Sequence, residues 1–327
     1  MITIKDLAEK AGVSYATVSR ALNGRAEVSE TTRARIIALA QEMGYQPNAV
    51  ARSLVSQKSS TIALIVPDVS NLFFADITMT VHKAADEYGY TTMVCNTGWD
   101  PAKEQEKLKI MVQQRVEGII LKPTAFIKPG TLEALGVPLV LFWHAIDDNL
   151  SYVEVDHAAG AQMALHHLIE KGYKRIAYLG GVETSPSNQI RQLAYQKALQ
   201  EAGLPVDPLL ISYGNFSLES GFKRLGHLIR LEQPPDALFC GSDLIAMGAL
   251  QFARTHSISV PGDLGIIGFD DVACASLPLI NLTTVEQPRD ALGEAALKTL
   301  LDEISVFPNR TRQRILIKPK LKIRSTT

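Results

Sequence analysis

From Thr61 onward this chain alternates short, continuously apolar runs with amphipathic segments, and it does so in two successive series. The runs "TIALIVP", "TTMVCN", "EGIILKP", "VPLVLFW" and "YVEVD" carry the first series through residue 157. "RIAYLGG", "LLISYG", "ALFCGSD" and "LGIIGFDD" carry the second. A strand with one face in water alternates polar and apolar residues, whereas these runs are apolar on both faces. Strands of that kind separated by helices imply parallel sheets covered on both sides. Two series therefore predict an α/β body of two doubly wound parallel-sheet subdomains facing each other. A late helix, about Arg289 to Ile304, and a final strand, "RILIKPKLKI", remain to cross back between them. Residues 61–157 plus 288–314 are assigned to one subdomain, and 158–287 plus 315–327 to the other. At 327 residues the chain is long enough to bury cores of that size.

The first fifty-odd residues lack this alternation and read as helices alone. Thr3 begins a capping box with Asp6, and Ile4, Leu7, Ala8 and Ala11 follow on one stripe. Gly12 stops that helix, Ser14 caps the next, and Val18 and Leu22 face inward until Asn23-Gly24 end it. A third helix is predicted from about Thr31 to Met43, with Ile36, Ile37, Leu39, Ala40 and Met43 as its buried side. The unit spans residues 1–46, and 47–60 form a short helix and a polar link.

The tight "AGVS" turn between the first two helices matches a helix-turn-helix. In that motif the second helix enters the major groove, where small residues permit close approach and polar ones reach base edges. The helix of residues 14–23 offers Tyr15, Ala16, Thr17 and Arg20 outward. An ordinary surface hairpin fits this stretch equally well when it is taken alone. "PNAVARSLVSQKSS", residues 47–60, shifts the balance toward DNA. Its helix, Asn48 to Val55, is too short to persist alone in water and needs docking, pairing or DNA contact. Leu54 beside Arg52 suits a wedge that unstacks base pairs from the minor groove. A plain linker is the alternative. Net charge is only −1, but residues 1–58 hold eight Lys/Arg against five Asp/Glu, so the head is basic and the body acidic.

Composition excludes several classes. Hydrophobic content of 46% with 20% charged residues is that of a globular protein, and no apolar stretch spans a bilayer. Residues 1–20 carry no signal-peptide pattern. Cys95, Cys240 and Cys274 are odd in number and scattered, so neither a disulfide framework nor a metal site is expected, and a cytoplasmic setting fits. No GxGxxG follows the first strand, no P-loop occurs, and no triad partner accompanies the strand-end Asp and Ser residues. Neither an enzyme nor a cofactor is expected. A periplasmic solute-binding protein shares such a body but needs an export signal and no basic head.

The stretches "TIKDLAEKAGVSYATVSRALNG", "VSETTRARI" and "MGYQPNAVARSL" closely resemble the lactose-repressor family of bacterial transcription regulators. The resemblance continues through "PDVSNLFFADI", "SDLIAMGAL", "IIGFDD" and "LTTVEQP". It implies a repressor dimer on a near-palindromic operator, with a body like periplasmic sugar-binding proteins that takes a small-molecule effector. The implied DNA-contacting set is Thr3, Ser14, Tyr15, Ala16, Thr17, Arg20, Asn23, Asn48, Ala51, Arg52 and Leu54. Ala16 departs from a glutamine in the family's namesake, so that operator's bases are not assumed. After the strand ending near Ile323 only "RSTT" remains, which leaves no heptad helix and favours a dimer over a tetramer.

Open parallel sheets bind ligands at the carboxyl ends of their strands. Those ends here carry Asn71, Leu72, Phe73, Phe74, Trp143, His144, Asp156, Asn215, Phe216, Ser242, Asp243, Asp270 and Asp271, joined by Ser187 and Arg191. Aromatic faces for stacking and charged groups for hydroxyls are the means by which sugars are held. The effector set is Phe73, Phe74, Trp143, Ser187, Arg191, Phe216, Ser242 and Asp270. Phe74, Arg191, Phe216 and Asp270 match effector-contacting positions in the family. Trp143 stands where many sugar-binding relatives place aspartate, and Ser242 where asparagine is common. An unusual or phosphorylated sugar, a polyol or a planar base therefore stays open.

Overall fold

The computed structural model describes residues 2–22, 27–45, 59–142, 150–309 and 312–327. Asn23, Asn48, Ala51, Arg52, Leu54, Trp143 and His144 lie outside them, as does residue range 47–58 of the expected link. The chain divides into one unit ending at Ser59 and a second beginning at Ser60.

In the first unit, α1 (Ile4–Ala11), α2 (Tyr15–Leu22) and α3 (Glu30–Glu42) enclose Leu7, Val18 and Ile36, all fully buried. The Thr3–Asp6 capping box is present, and Gly12 ends α1 in the left-handed conformation at φ 62°. α3 starts at Glu30 with Ser29 as its cap, not at Thr31. Ile37, expected on the buried side, is 41% exposed. Ile36 and Ala40 stack one turn apart toward the core, which rotates their neighbour Ile37 outward.

The body holds two six-stranded sheets. The first orders β11 (Arg314–Ile317), β5 (Ser151–Val155), β4 (Leu139–Leu141), β3 (Gly118–Leu121), β1 (Thr61–Val66) and β2 (Thr91–Asn96), all parallel. The second orders β12 (Lys320–Lys322), β10 (Thr283–Glu286), β9 (Gly265–Asp270), β8 (Ala237–Cys240), β6 (Ile176–Leu179) and β7 (Ile211–Ser212). Only β12 runs antiparallel to its neighbour. α4 (Leu72–Glu87), α5 (Pro101–Gln113) and α10 (Arg289–Val306) cover the first sheet. α6 (His157–Glu170), α7 (Pro186–Glu201), α8 (Leu218–Leu228) and α9 (Asp243–Thr255) cover the second. Among the described residues, no helix is long and apolar enough to cross a membrane.

The run "RILIKPKLKI" is not one strand. Ile317 pairs with Val155 in the first sheet and Lys320 with Glu286 in the second. Pro319 between them has no N–H to donate, so the ladder stops and the chain changes sheets. The last crossing therefore falls at Lys318-Pro319, later than the expected boundary at 314. The other two crossings fall at Asp156, between β5 and α6, and at Pro288, between β10 and α10.

Both sheets reverse their winding at the first strand of each series, since β1 lies between β2 and β3, and β6 between β7 and β8. That reversal opens a crevice at the carboxyl ends. Close packing holds the second subdomain's outer helices: a Cβ on Gly221 would stand 2.0 Å from the Ile245 carbonyl oxygen, and one on Gly248 1.9 Å from that of Leu218. α8 and α9 therefore meet backbone to backbone.

Candidate functional site: a polar helix and a charged cleft

α2 presents Tyr15, Ala16 and Arg20 to solvent, with Tyr15 49% exposed. Thr3 and Ser14 serve as caps: Asp6 N–H donates to Thr3 Oγ1, and Thr17 N–H donates to Ser14 Oγ at 3.1 Å. The Thr17 hydroxyl lies 2.9 Å from Ser14 Oγ. Arg20 Nε contacts Glu27 Oε2 at 3.2 Å, both side chains being more than half exposed. Such a pair contributes about 0–1 kcal/mol and is readily exchanged for a phosphate or a base edge.

In the body, one cavity lies at the carboxyl ends of both sheets, lined by aromatic rings on one side and charged groups on the other. Its apolar wall is a train of rings. Phe73 and Phe74 meet edge to face at 5.2 Å, Phe74 meets Trp99 at 6.1 Å, and Trp99 meets Phe216 at 4.9 Å. Trp99 follows β2 and Phe216 follows β7, so the last contact joins the two subdomains. Trp99 sits at φ 60°, a region costly for a bulky residue, and the adjoining loop is pinned by Thr97 and Gly98 N–H bonds to Val66 and Pro67. The Phe216 ring occupies the space that a Cβ on Gly181 would need.

The polar wall is built around Arg191, which is 4% exposed. Its guanidinium lies 3.7 Å above the Phe269 ring and donates to the Gly241 carbonyl and, at 3.2 Å, to His157 Nδ1. Burial and the Arg191 charge hold the His157 imidazole well below its usual range, so the ring is neutral and its proton sits on Nε2. Asp270, at the end of β9, has φ 133° and accepts from Gln287 Nε2 at 2.5 Å. Lys122, one residue past β3, and Glu154 on β5 complete the charged lining.

Behind Asp270, the fully buried Asp243 accepts from Thr284 Oγ1 at 2.5 Å and from Val272 N–H at 2.9 Å. Burial, reinforced by the charge of the other carboxylate, raises the Asp243 pKa, and burial raises that of Asp270. A carboxyl raised in the fold stabilises fully below its unfolded value of 3.8, and that share is lost as pH climbs toward and past neutrality. Asp243→Asn keeps an oxygen for Val272 and an amide for Thr284 while removing one charge. Its melting temperature relative to the parent is expected to rise from about pH 5 to about pH 8, as read by scanning calorimetry. A difference that does not vary with pH rules out the shared-charge account.

The structure brings Phe73, Phe74, Ser187, Arg191, Phe216, Ser242 and Asp270 onto one cavity wall, together with Asn71. It does not bring Leu72, Asp156, Asn215, Asp243 or Asp271 there. Asp156 caps α6, Asn215 accepts from Ser217, and Asp271 pairs with Arg324 at 2.6 Å. Sequence reasoning missed Trp99, Lys122, Glu154, His157 and Gln287. Lys122 stood inside the quoted run "EGIILKP", where a lysine at a strand's carboxyl end was the available signal. Among the described residues, no cluster of three His, Cys, Asp or Glu is placed to hold a metal ion.

Residues 3–48 match the model of the bacterial regulatory proteins of the lacI family, and residues 165–327 that of the periplasmic binding protein-like domain. The HTH-type transcriptional repressor PurR of Actinobacillus pleuropneumoniae serotype 3 is 34% identical over 99% of this chain and 98% of its own. The ribose operon repressor of Halalkalibacterium halodurans is 35% identical over 100% of this chain and 97% of its own. The solved lac repressor dimer bound to operator and the anti-inducer ONPF matches with a TM-score of 0.88 at 26% identity, covering 100% of this chain and 99% of that one.

Proposed function

The chain belongs to the lacI family of bacterial regulatory proteins, and we propose that within it α2 reads an operator while the charged cleft takes the effector. It is an effector-responsive, DNA-binding transcriptional regulator. Tyr15, Thr17 and Arg20 contact base edges, and the capping hydroxyls of Thr3 and Ser14 lie beside the phosphates. A homodimer on a near-palindromic operator, working in the cytoplasm, fits a repressor of carbohydrate utilisation. The lac repressor solved as a dimer on its operator supports the assembly, and the ribose operon repressor supports the sugar class.

The observation that carries this reading is the Trp99–Phe216 contact across the cleft. A ligand bound beside these rings touches both subdomains at once, so its binding energy depends on the angle between them. Coupling of this type is about 1–3 kcal/mol between sites.

The test is Arg20→Ala. A lost base contact costs about 1–3 kcal/mol, so operator affinity in a gel shift is expected to fall on the order of tenfold to a hundredfold. Effector affinity by calorimetry stays at the parent value. Unchanged operator binding removes Arg20 from the reading surface.

A further inference from the structure

We infer that the effector carries an acidic group, a carboxylate or a phosphate, that docks against Lys122; the inference rests on the cleft being the effector site. Lys122 is fixed where the first sheet reverses its winding, its backbone N–H bonded to the Ile65 carbonyl at 2.9 Å. The side chain lines the cavity, is only 6% exposed, and its Nζ makes no hydrogen bond and no ion pair among the described residues. An amine buried with none of its protons placed is a costly arrangement, and one that a ligand relieves.

The groups facing it come from several elements. Glu104 on α5 and Glu154 on β5 attract it at a distance, and Arg191 on α7 repels it. Glu104 is already engaged by the Thr124 N–H at 2.7 Å. Arg191 presents the second orphan, since its Nε has no partner while its other nitrogens serve Gly241 and His157. The cavity wall therefore holds two cationic side chains, each with an unmet donor. A sugar hydroxyl satisfies such a donor but brings a proton that needs an acceptor of its own. A carboxylate or phosphate oxygen brings acceptors only, and its charge offsets two neighbouring cations.

A protonation consequence follows. Burial and Arg191 push the Lys122 amine down to about 7, so at mildly alkaline pH it is largely neutral in the free protein. An anion beside it restores the ammonium, and binding takes up a proton. Asp270 and His157 also line the cavity, so the lysine's share must be isolated by substitution.

The experiment titrates the full chain by calorimetry with hexoses and pentoses, each beside its onic acid, its uronic acid and its phosphate ester. At least one acid is expected to bind on the order of tenfold to a hundredfold tighter than its neutral parent. The onic and uronic arms against the phosphate arm identify which acid it is. Lys122→Met, a change of similar shape that a buried site tolerates, is expected to erase that preference. It also removes the proton uptake that titrations of a carboxylate in two buffers at about pH 8 reveal in the parent. Neutral sugars binding as tightly as their acids, no acid binding at all, or a preference that survives Lys122→Met each overturn the inference while the cleft stands. An acid that binds Phe216→Ala as tightly as the parent overturns the cleft reading and the inference together.

Discussion

Arg191→Ala is expected to lower the stability of the body by about 3–5 kcal/mol and to take effector affinity below detection. The side chain is buried, and its loss strands several groups at once. The Gly241 carbonyl and His157 Nδ1 lose their donor, and the Phe269 face loses the cation above it. Asp270 and Asp243 lose the attraction of the Arg191 charge, having already been driven toward protonation by burial. Removing one member of such a network costs far more than the network contributes net, because the survivors remain out of water. Chemical denaturation followed by circular dichroism checks the first effect and titration calorimetry the second. Stability within about 1 kcal/mol of the parent defeats this account, because it places the substitution among ordinary surface changes.

Gly248→Val is expected to reach a similar size by a different route. The seam between α8 and α9 has no room for a side chain, because the added Cβ meets the Leu218 carbonyl oxygen at 1.9 Å and the Phe222 nitrogen at 2.9 Å. Neither neighbour is a flexible tip that can swing aside. The helices must separate, opening space around the buried Leu225, Ile245 and Ala249 of the same core. Overpacking costs about 1–3 kcal/mol when side chains absorb it, and the upper end or more is expected where only backbone can move. Gly248→Ala is expected to cost less than valine but to keep the sign. A melting temperature unchanged in either variant shows that the seam is looser than its geometry implies.

The architecture of the body was legible because its signal is cumulative. "TIALIVP" became β1 with Ile62 through Val66 all buried, and β3, β4, β6, β8 and β9 are buried throughout, whereas the edge strands β2 and β7, from "TTMVCN" and "LLISYG", hold no fully buried residue. The ends of such strands face the crevice by topology, which is why Phe74, Arg191 and Asp270 could be nominated without coordinates. What escaped depends on orientation within an element. His157 and Glu154 point into the cavity because of how α6 and β5 are rotated about their own axes, and periodicity leaves that rotation open. Lys122 escaped because its burial, at 6% exposure, depends on tertiary packing that the run "EGIILKP" does not encode. Trp99 escaped because its position rests on a left-handed backbone at a tryptophan, which local preference argues against. Ile37 was misplaced by one position on a helix surface, and the Pro319 break was read through because both flanks are strand-like.

The three chain crossings have an optical consequence. At Asp156, Pro288 and Lys318-Pro319 the subdomains are tied beside β5, β11, β10 and β12, at one edge of each sheet. β2 and β7 form the opposite edges, and the loops after them carry Trp99 and Phe216. A small rotation about the tied side becomes its largest displacement at these two rings, because they sit at the end of the lever. The sequence holds two tryptophans, Trp99 and Trp143, so Trp143→Phe leaves a single indole emitter at the mouth of the cleft. Its emission, set by contact with the Phe216 ring 4.9 Å away or by water in its place, makes the molecule its own fluorescence gauge of closure.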